Sequence, residues 1–174
     1  MKQTRLVFLS LMFLSSFGFA QFGSQMKMFS MSQAKFANMA GAPECATVAP
    51  VNGDPTKDVF FIALKMTSGC AIPWHWHSGD ENVSMISGRA KMEAKGGSAQ
   101  TVAPGDYAYM PAKQPHQFTC ASACTLFIAS PQAFDLHYVD QNGNEIPPEQ
   151  ALKSSGKSGG TKKPAASGAK PPSK

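Results

Sequence analysis

Histidine is scarce in this sequence, with four residues in 174, and tryptophan occurs only twice. Scarcity makes any clustering of either informative. The chain also lacks an apolar run long enough to cross a membrane as a helix. Its longest, Leu6–Phe19, spans fourteen residues and is broken by serines and a glycine, against roughly 20 needed for a hydrocarbon core about 30 Å thick. No cysteine precedes Cys45, which excludes a lipidated N-terminus, and the single Arg5 is no twin-arginine signal. Acidic residues are absent from Ser154 onward, and no internal repeat is visible.

The apolar run is a leader in composition. Lys2 and Arg5 precede it, and Gly18 and Ala20 put small residues at the two positions a signal peptidase reads. Residues 1–20 are therefore expected to be a signal peptide, cleaved before Gln21. The mature protein would be periplasmic or secreted by the general route.

The net charge of +5 belongs to the ends of the chain. Residues 21–153 hold nine basic and eleven acidic side chains, for a net −2, and this argues against nucleic acid as a partner. The basic tail, 151–174, contains "SSGKSGGTKKPAASGAKPPSK" from Ser154. It offers no large apolar side chain to a core from there on and is expected to be disordered. Residues 21–48 form an N-terminal extension. Met26, Met28 and Met31 within it could offer thioethers to Cu(I), although apolar filler is the plainer reading.

Between these ends the pattern is one of short strands. "VFFIALKM" (59–66), Ile72–Trp76, "ENVSMISGRAKMEA" (81–94), "TVAPGDYAYMPA" (101–112), "QPHQFTC", "CTLFIAS" and "FDLHYVD" (134–140) alternate with turn chemistry such as "APVNGDPTKD" (49–58) and "KGGSAQ". "PPEQALK" supplies at most a helical turn. At least seven strands at regular spacing predict an all-β sandwich or barrel over residues 49–150. Export makes Cys45, Cys70, Cys120 and Cys124 disulfide candidates with three pairings. Cys120 and Cys124 bracket a three-residue loop between two strands, read as a hairpin, so that pair is favoured. Cys45–Cys70 follows by elimination, and free thiols are the alternative.

The histidines then become legible. In "PWHWHSGDE", His75 and His77 are two apart and point the same way from a strand. Glu81 opens the next strand and can return to the same interior. Asp80 is its neighbour and rival, of opposite parity. His116, behind Pro111 and Pro115, supplies a third imidazole, and only His137 is left over. Val83, Met85 and Phe118 share parity with these ligands and are expected to line a substrate pocket. Trp74 and Trp76 take the opposite parity and should pack outside. Three imidazoles and a carboxylate suit one divalent transition metal, with Mn, Fe, Ni, Zn and Cu all compatible.

The spacing resembles the cupin superfamily. Gly69, "CAIPW", His75, Trp76, His77, "SGD", Glu81, "NVSMIS" and Gly88 match every fixed position of the first cupin motif. Gly105, Pro111 and His116 keep the second motif in register, with Lys113 in place of its glycine and Cys120 in place of its asparagine. "NGDP" and "FDLHYVDQNGNEI" look like the small single-domain exported bacterial cupins. The resemblance covers about residues 49–140. It implies a cupin jelly-roll β-barrel and a metal held by His75, His77, Glu81 and His116, with one or two positions open. It also implies a small-molecule substrate or ligand. Two functions follow as expectations. One is metal-dependent oxidoreductase chemistry, dioxygenase-like, on a small oxygenated molecule. The other is capture or sensing of a ligand or metal without turnover. No catalytic acid or base stands out from Asp80, Tyr107 and Tyr109, and a homodimer stays open.

Overall fold

The computed structural model describes residues 26–155. The expected signal peptide, and the tail beyond residue 155, lie outside the described residues. Ten strands run in order: β1 Ala46–Gly53, β2 Phe60–Met66, β3 Ala71–Trp76, β4 Glu81–Ser87, β5 Ala90–Ala94, β6 Gln100–Val102, β7 Tyr107–Met110, β8 His116–Cys120, β9 Cys124–Ser130 and β10 His137–Tyr138. One helix, α1, covers Pro148–Ser155. Every strand pairing is antiparallel. The strands form two five-stranded sheets, ordered β1-β2-β9-β4-β7 and β10-β3-β8-β5-β6. Among the described residues no helix is long and apolar enough to cross a membrane.

Alternation along the strands places the core between the sheets. Ile62, Leu64 and Met66 of β2, Leu126 and Ile128 of β9, and Val83 and Met85 of β4 share the inner face of the first sheet and cluster with Phe118 and Cys120 of β8 from the second. These residues are buried, and the hydrophobic effect contributes about 1.5–3 kcal/mol for each large side chain removed from water. Glu81 leads β4 on this inner face, and His116 leads β8. Both are polar groups placed at one end of an otherwise apolar barrel.

Three boundaries differ from the sequence expectation. β1 runs through Gly53, so Ala49–Gly53 is strand and the turn begins at Asp54, whose carboxylate accepts Thr56 N–H at 3.0 Å. Pro50 is tolerated because β1 is an edge strand and its register slips between Pro50 and Asn52. α1 reaches Ser155, so residues 151–155, read from sequence as the start of a disordered tail, are helical, with Ala151 buried. Pro148 stands at the helix start, where its missing N–H is not needed. The third difference concerns "QPHQFTC" and "CTLFIAS", which are not a hairpin. β8 pairs with β3 and β5 while β9 pairs with β2 and β4, so the loop at 121–123 crosses from one sheet to the other.

The cysteines nevertheless pair as expected, Cys45 with Cys70 and Cys120 with Cys124. The second bridge therefore joins the two sheets rather than the two arms of a hairpin. Gly88 makes room for it. The glycine has φ +83°, and a Cβ there would stand 2.2 Å from Ala123 O and 2.8 Å from Cys124 Cα.

The N-terminal extension is a strap with definite contacts. Ala37 bridges to Val48. Phe29 packs edge-on against Phe127 at 6.3 Å between ring centres, and Lys65 lies over the Phe36 ring at 4.1 Å. Gly41 O accepts the Tyr138 hydroxyl at 2.9 Å. Ala63 points away from the core by alternation and is still fully buried, because this strap covers the outer face of the first sheet.

Candidate metal centre

Two prolines build the histidine geometry. Pro73 cannot donate to β8, and the β3–β8 register slips between Ile72 and His75. The Pro73 carbonyl accepts His75 Nδ1–H at 2.7 Å. On the opposite strand the pattern recurs: His116 Nδ1–H donates to Gln114 O at 2.9 Å across Pro115. His77 Nδ1–H donates to Asp135 O, from the loop before β10. All three imidazoles thus commit Nδ1 to a backbone carbonyl. That leaves Nε2 of each ring for another partner, the arrangement that orients a histidine toward a metal.

His75, His77 and His116 bring ligand atoms within 4.8 Å of one another. Glu81 joins them, with Oε2 at 3.2 Å from His116 Nε2 and Oε1 at 3.7 Å from His77 Nε2. All four side chains are buried. His77 Nε2 is a buried nitrogen with no hydrogen-bond partner. A buried polar atom left unpaired costs about 1–3 kcal/mol, and a cation among the three Nε2 atoms and Glu81 would remove that cost. The residues present fit a divalent metal.

Asp80 is engaged elsewhere. Its Oδ1 accepts Ala112 N–H at 2.8 Å, and it also takes the Tyr109 hydroxyl, whose pKa is raised by that bond. His137 also lies outside the group, stacked on Trp76 at 3.9 Å and 3° and flanked by Asp135 and Glu145. Trp76 packs outside the barrel as its parity predicts. Sequence reasoning missed Asp135, which aims His77 through its carbonyl and accepts Ser78 N–H through Oδ1 at 2.8 Å. A backbone acceptor 58 residues from its donor leaves no residue-type signature.

The charges follow the burial. Desolvation drives His75 well below the ordinary imidazole value, aided by His116 and His77, so it is neutral. Burial opposes the charged form of Glu81, but the His116 hydrogen bond and the two nearby imidazoles outweigh it and lower the pKa. Burial likewise opposes charge on His116, and the Glu81 carboxylate outweighs it there too, raising the pKa. Glu81 and His116 therefore each favour the charged form of the other.

Val83 and Phe118 border a small void below the histidines together with Leu64, Leu126 and Ile128. Met85 packs deeper in the core and is not among the residues around that void. A second cavity lies beside His75, His77 and Glu81, where Met39 and Ala42 of the strap meet Phe134 and Leu136. It leaves about 40 Å³ open to the centres of water-sized bodies, room for on the order of three waters.

Residues 64–129 match the cupin domain family. This chain carries a cupin domain. Its barrel superposes on the polyketide cyclase RemF from Streptomyces resistomycificus with a TM-score of 0.56 at 17% identity, over 74% of this chain and 99% of that one. KdgF from Halomonas sp. gives 0.52 at 18% identity, over 60% and 94%. A candidate acetylacetone dioxygenase from Methylibium petroleiphilum PM1 gives 0.54 at 18%, over 70% and 86%. At these identities the likeness is one of fold. No curated protein matches the sequence.

The cupin motif glycines have a backbone reason. Gly69, Gly88 and Gly105 all take positive φ, between 79° and 94°. Lys113, standing where the motif has glycine, adopts φ 63° and so keeps the turn despite its Cβ. Its N–H donates to His77 O at 2.8 Å, which ties the turn to a ligand.

Proposed function

We propose that this protein is an exported metal-binding cupin, and that its metal centre handles a small oxygenated organic molecule by oxidoreductase, dioxygenase-like chemistry. The observation that carries this reading is the convergence of His75, His77, Glu81 and His116, each imidazole locked through Nδ1 with Nε2 inward. A divalent metal bound there supplies a Lewis acid and, for Mn, Fe or Cu, a redox centre. The chain's own residues do the rest. Glu81 sets one carboxylate among the imidazoles, its Oε2 3.2 Å from His116 Nε2. Phe134, Leu136 and Met39 wall the His75–His77 side with apolar surface and keep bulk water from it. Two paired cysteine bridges and the leader-like residues 1–20 support export to an oxidising compartment.

A second reading is a cupin that captures or senses a ligand without turnover. One observation favours it: around the strap-side cavity, the ionisable side chains are His75, His77 and Glu81 themselves. No separate acid or base faces that space. Fold does not choose between the two, since the similar structures bear the names of a cyclase and a candidate dioxygenase.

The test is metal analysis of the exported protein, joined to oxygen consumption with a panel of small oxygenated acids, enediols and phenols. One metal per chain with oxygen uptake supports the enzyme. Ligand or metal binding without turnover supports the second reading, and a metal-free exported protein sinks the first.

A further inference from the structure

The barrel has two seams where its sheets meet, and they are unlike. At one, β1 and β10 are the edge strands, and the strap and the 131–136 loop close the gap over the small apolar cavity. At the other, β6 and β7 are the edges. Here nothing in the described chain covers the gap. The groove leaves about 590 Å³ open to water-sized bodies, within the range of roughly 300–1,000 Å³ typical of small-molecule sites. The closed cavity has about 40 Å³ on the same measure, too little for more than a few heavy atoms.

The floor of the groove is apolar, formed by Met92, Val102 and Met110, and it ends on His116. His116 is the one member of the metal-ligand group that lines it. Gln100, Thr101, Ser98 and Gln114 stand at its walls and make no side-chain hydrogen bond within the described protein, so their neutral donors and acceptors are available to a ligand. Tyr107 and Tyr109 flank it, 61% and 52% exposed. The Tyr107 hydroxyl is held by Asn82 Oδ1, which fixes that ring as a platform, and Asp80 raises the pKa of the Tyr109 hydroxyl beside it. No Lys or Arg lines the groove, and its one carboxylate, Asp106, accepts Ala103 N–H at 2.8 Å. Among the described residues the walls themselves offer an anionic ligand no counter-charge; the one basic side chain is His116 at the groove's end, already paired with Glu81.

We propose that the β6/β7 groove is the ligand-binding site of this cupin, and that it takes a neutral, oxygen-rich molecule with an apolar face, of the glycoside class. Hydroxyls meet Gln100, Thr101 and Gln114, the apolar face lies against Tyr107 and Tyr109, and one end approaches His116. This rests on the metal-cupin reading for the role of His116 alone; recognition by the groove walls does not need the metal.

The experiment uses the full mature chain, with and without metal, and a matched pair of probes. These are p-nitrophenyl β-glucoside, which is neutral, and p-nitrophenyl β-glucuronide, which differs by a carboxylate. Calorimetry gives affinities and amide chemical shifts locate the site. The glucoside should bind both forms and shift Gln100, Tyr107, Tyr109 and Gln114. The glucuronide should bind about tenfold more weakly, and Tyr109→Ala should weaken the glucoside about tenfold. Equal binding of the two probes, shifts confined to Met39 and Phe134, or no binding at all would overturn the proposal. Failure to hold metal with groove binding intact would instead overturn the metal reading and leave the groove standing.

Discussion

The Nε2 of His116 lies 3.2 Å from Oε2 of Glu81, and both groups are buried at the mouth of an apolar barrel. Each holds the other in its charged form against desolvation. A cation placed among the three histidines would compete with the proton that the raised pKa of His116 favours. The behaviour of the site with pH and with mutation follows from that competition.

Removal of one imidazole tests the site directly. His116→Ala leaves Glu81 without its partner and deletes one ligand, so metal affinity should fall by at least about 100-fold. His75→Ala should do the same. His137→Ala loses only its stack on Trp76 and its contacts with Asp135 and Glu145, so stoichiometric binding should persist. Equilibrium dialysis with metal analysis reads all three. Equal losses from the three variants would place the site elsewhere.

Proton release gives an independent check. His116 has a raised pKa, so the metal-free native protein keeps that proton to higher pH than the unfolded chain does. Its contribution to stability is full below the ordinary imidazole value and is lost as pH rises through the raised one. His75 works the other way: held neutral, it costs stability as pH falls below 6.5, where the unfolded chain takes up a proton that the native state refuses. Metal binding near pH 6.5 should therefore release protons, and the release should fall as pH rises through the raised His116 value. Calorimetry in buffers of different ionisation heats measures it. Zero release across the range would mean that His116 is neutral in the empty site.

Lys113 offers a test of backbone strain. Its φ of 63° is in the left-handed region, which costs a non-glycine residue roughly 1–2 kcal/mol. Lys113→Gly should leave stability unchanged or raise it by up to about 1 kcal/mol. Lys113→Val, β-branched at positive φ, should lower it by about 1–2 kcal/mol. Because Lys113 N–H holds His77 O, the valine variant should also lose metal affinity, and the glycine variant should not. Urea melts and metal titration distinguish these outcomes.

The convergence of His75, His77, Glu81 and His116 was legible in sequence because its signals are residue types at short spacings. His75 and His77 share a face by alternation, and Glu81 and His116 each open a strand on the inner side. What orients them was not legible. Pro73 O, Gln114 O and Asp135 O are backbone acceptors, and any residue brings a carbonyl. The crossover at 121–123 was read as a hairpin for a similar reason. A three-residue loop between two strands is compatible with pairing or with a change of sheet, and only the long-range partners β3 and β2 decide between them. The strap escaped notice because "MKMFSMSQAKFANMA" (26–40) has no periodicity. Phe29 and Phe36 find their partners, Phe127 and Lys65, on a sheet formed by residues far along the chain.

The two cysteine bridges should contribute unequally, and loop length says by how much. Cys45–Cys70 spans 25 residues of sequence and Cys120–Cys124 only 4. On the loop-entropy view the longer closure stabilises by about 3.5 kcal/mol and the shorter by about 2 kcal/mol. The longer bridge also fixes the junction of strap and barrel, since Cys45 precedes β1 and its carbonyl accepts Thr67 N–H at 3.1 Å. The shorter one joins two sheets already held by the core around Leu126 and Phe118. Alanine is the proper replacement at 120 and 124, because both positions are buried and a serine hydroxyl there would lack a partner. Cys45→Ala/Cys70→Ala should thus lower the urea midpoint more than Cys120→Ala/Cys124→Ala. Both variants should keep metal binding, because the candidate ligands His75 and His116 lie at the other ends of β3 and β8. Mass mapping of the non-reduced wild type should return the two native pairs. Cross-pairing, or a larger loss from the short loop than from the long one, would show that the bridges act through native-state packing rather than through the unfolded chain.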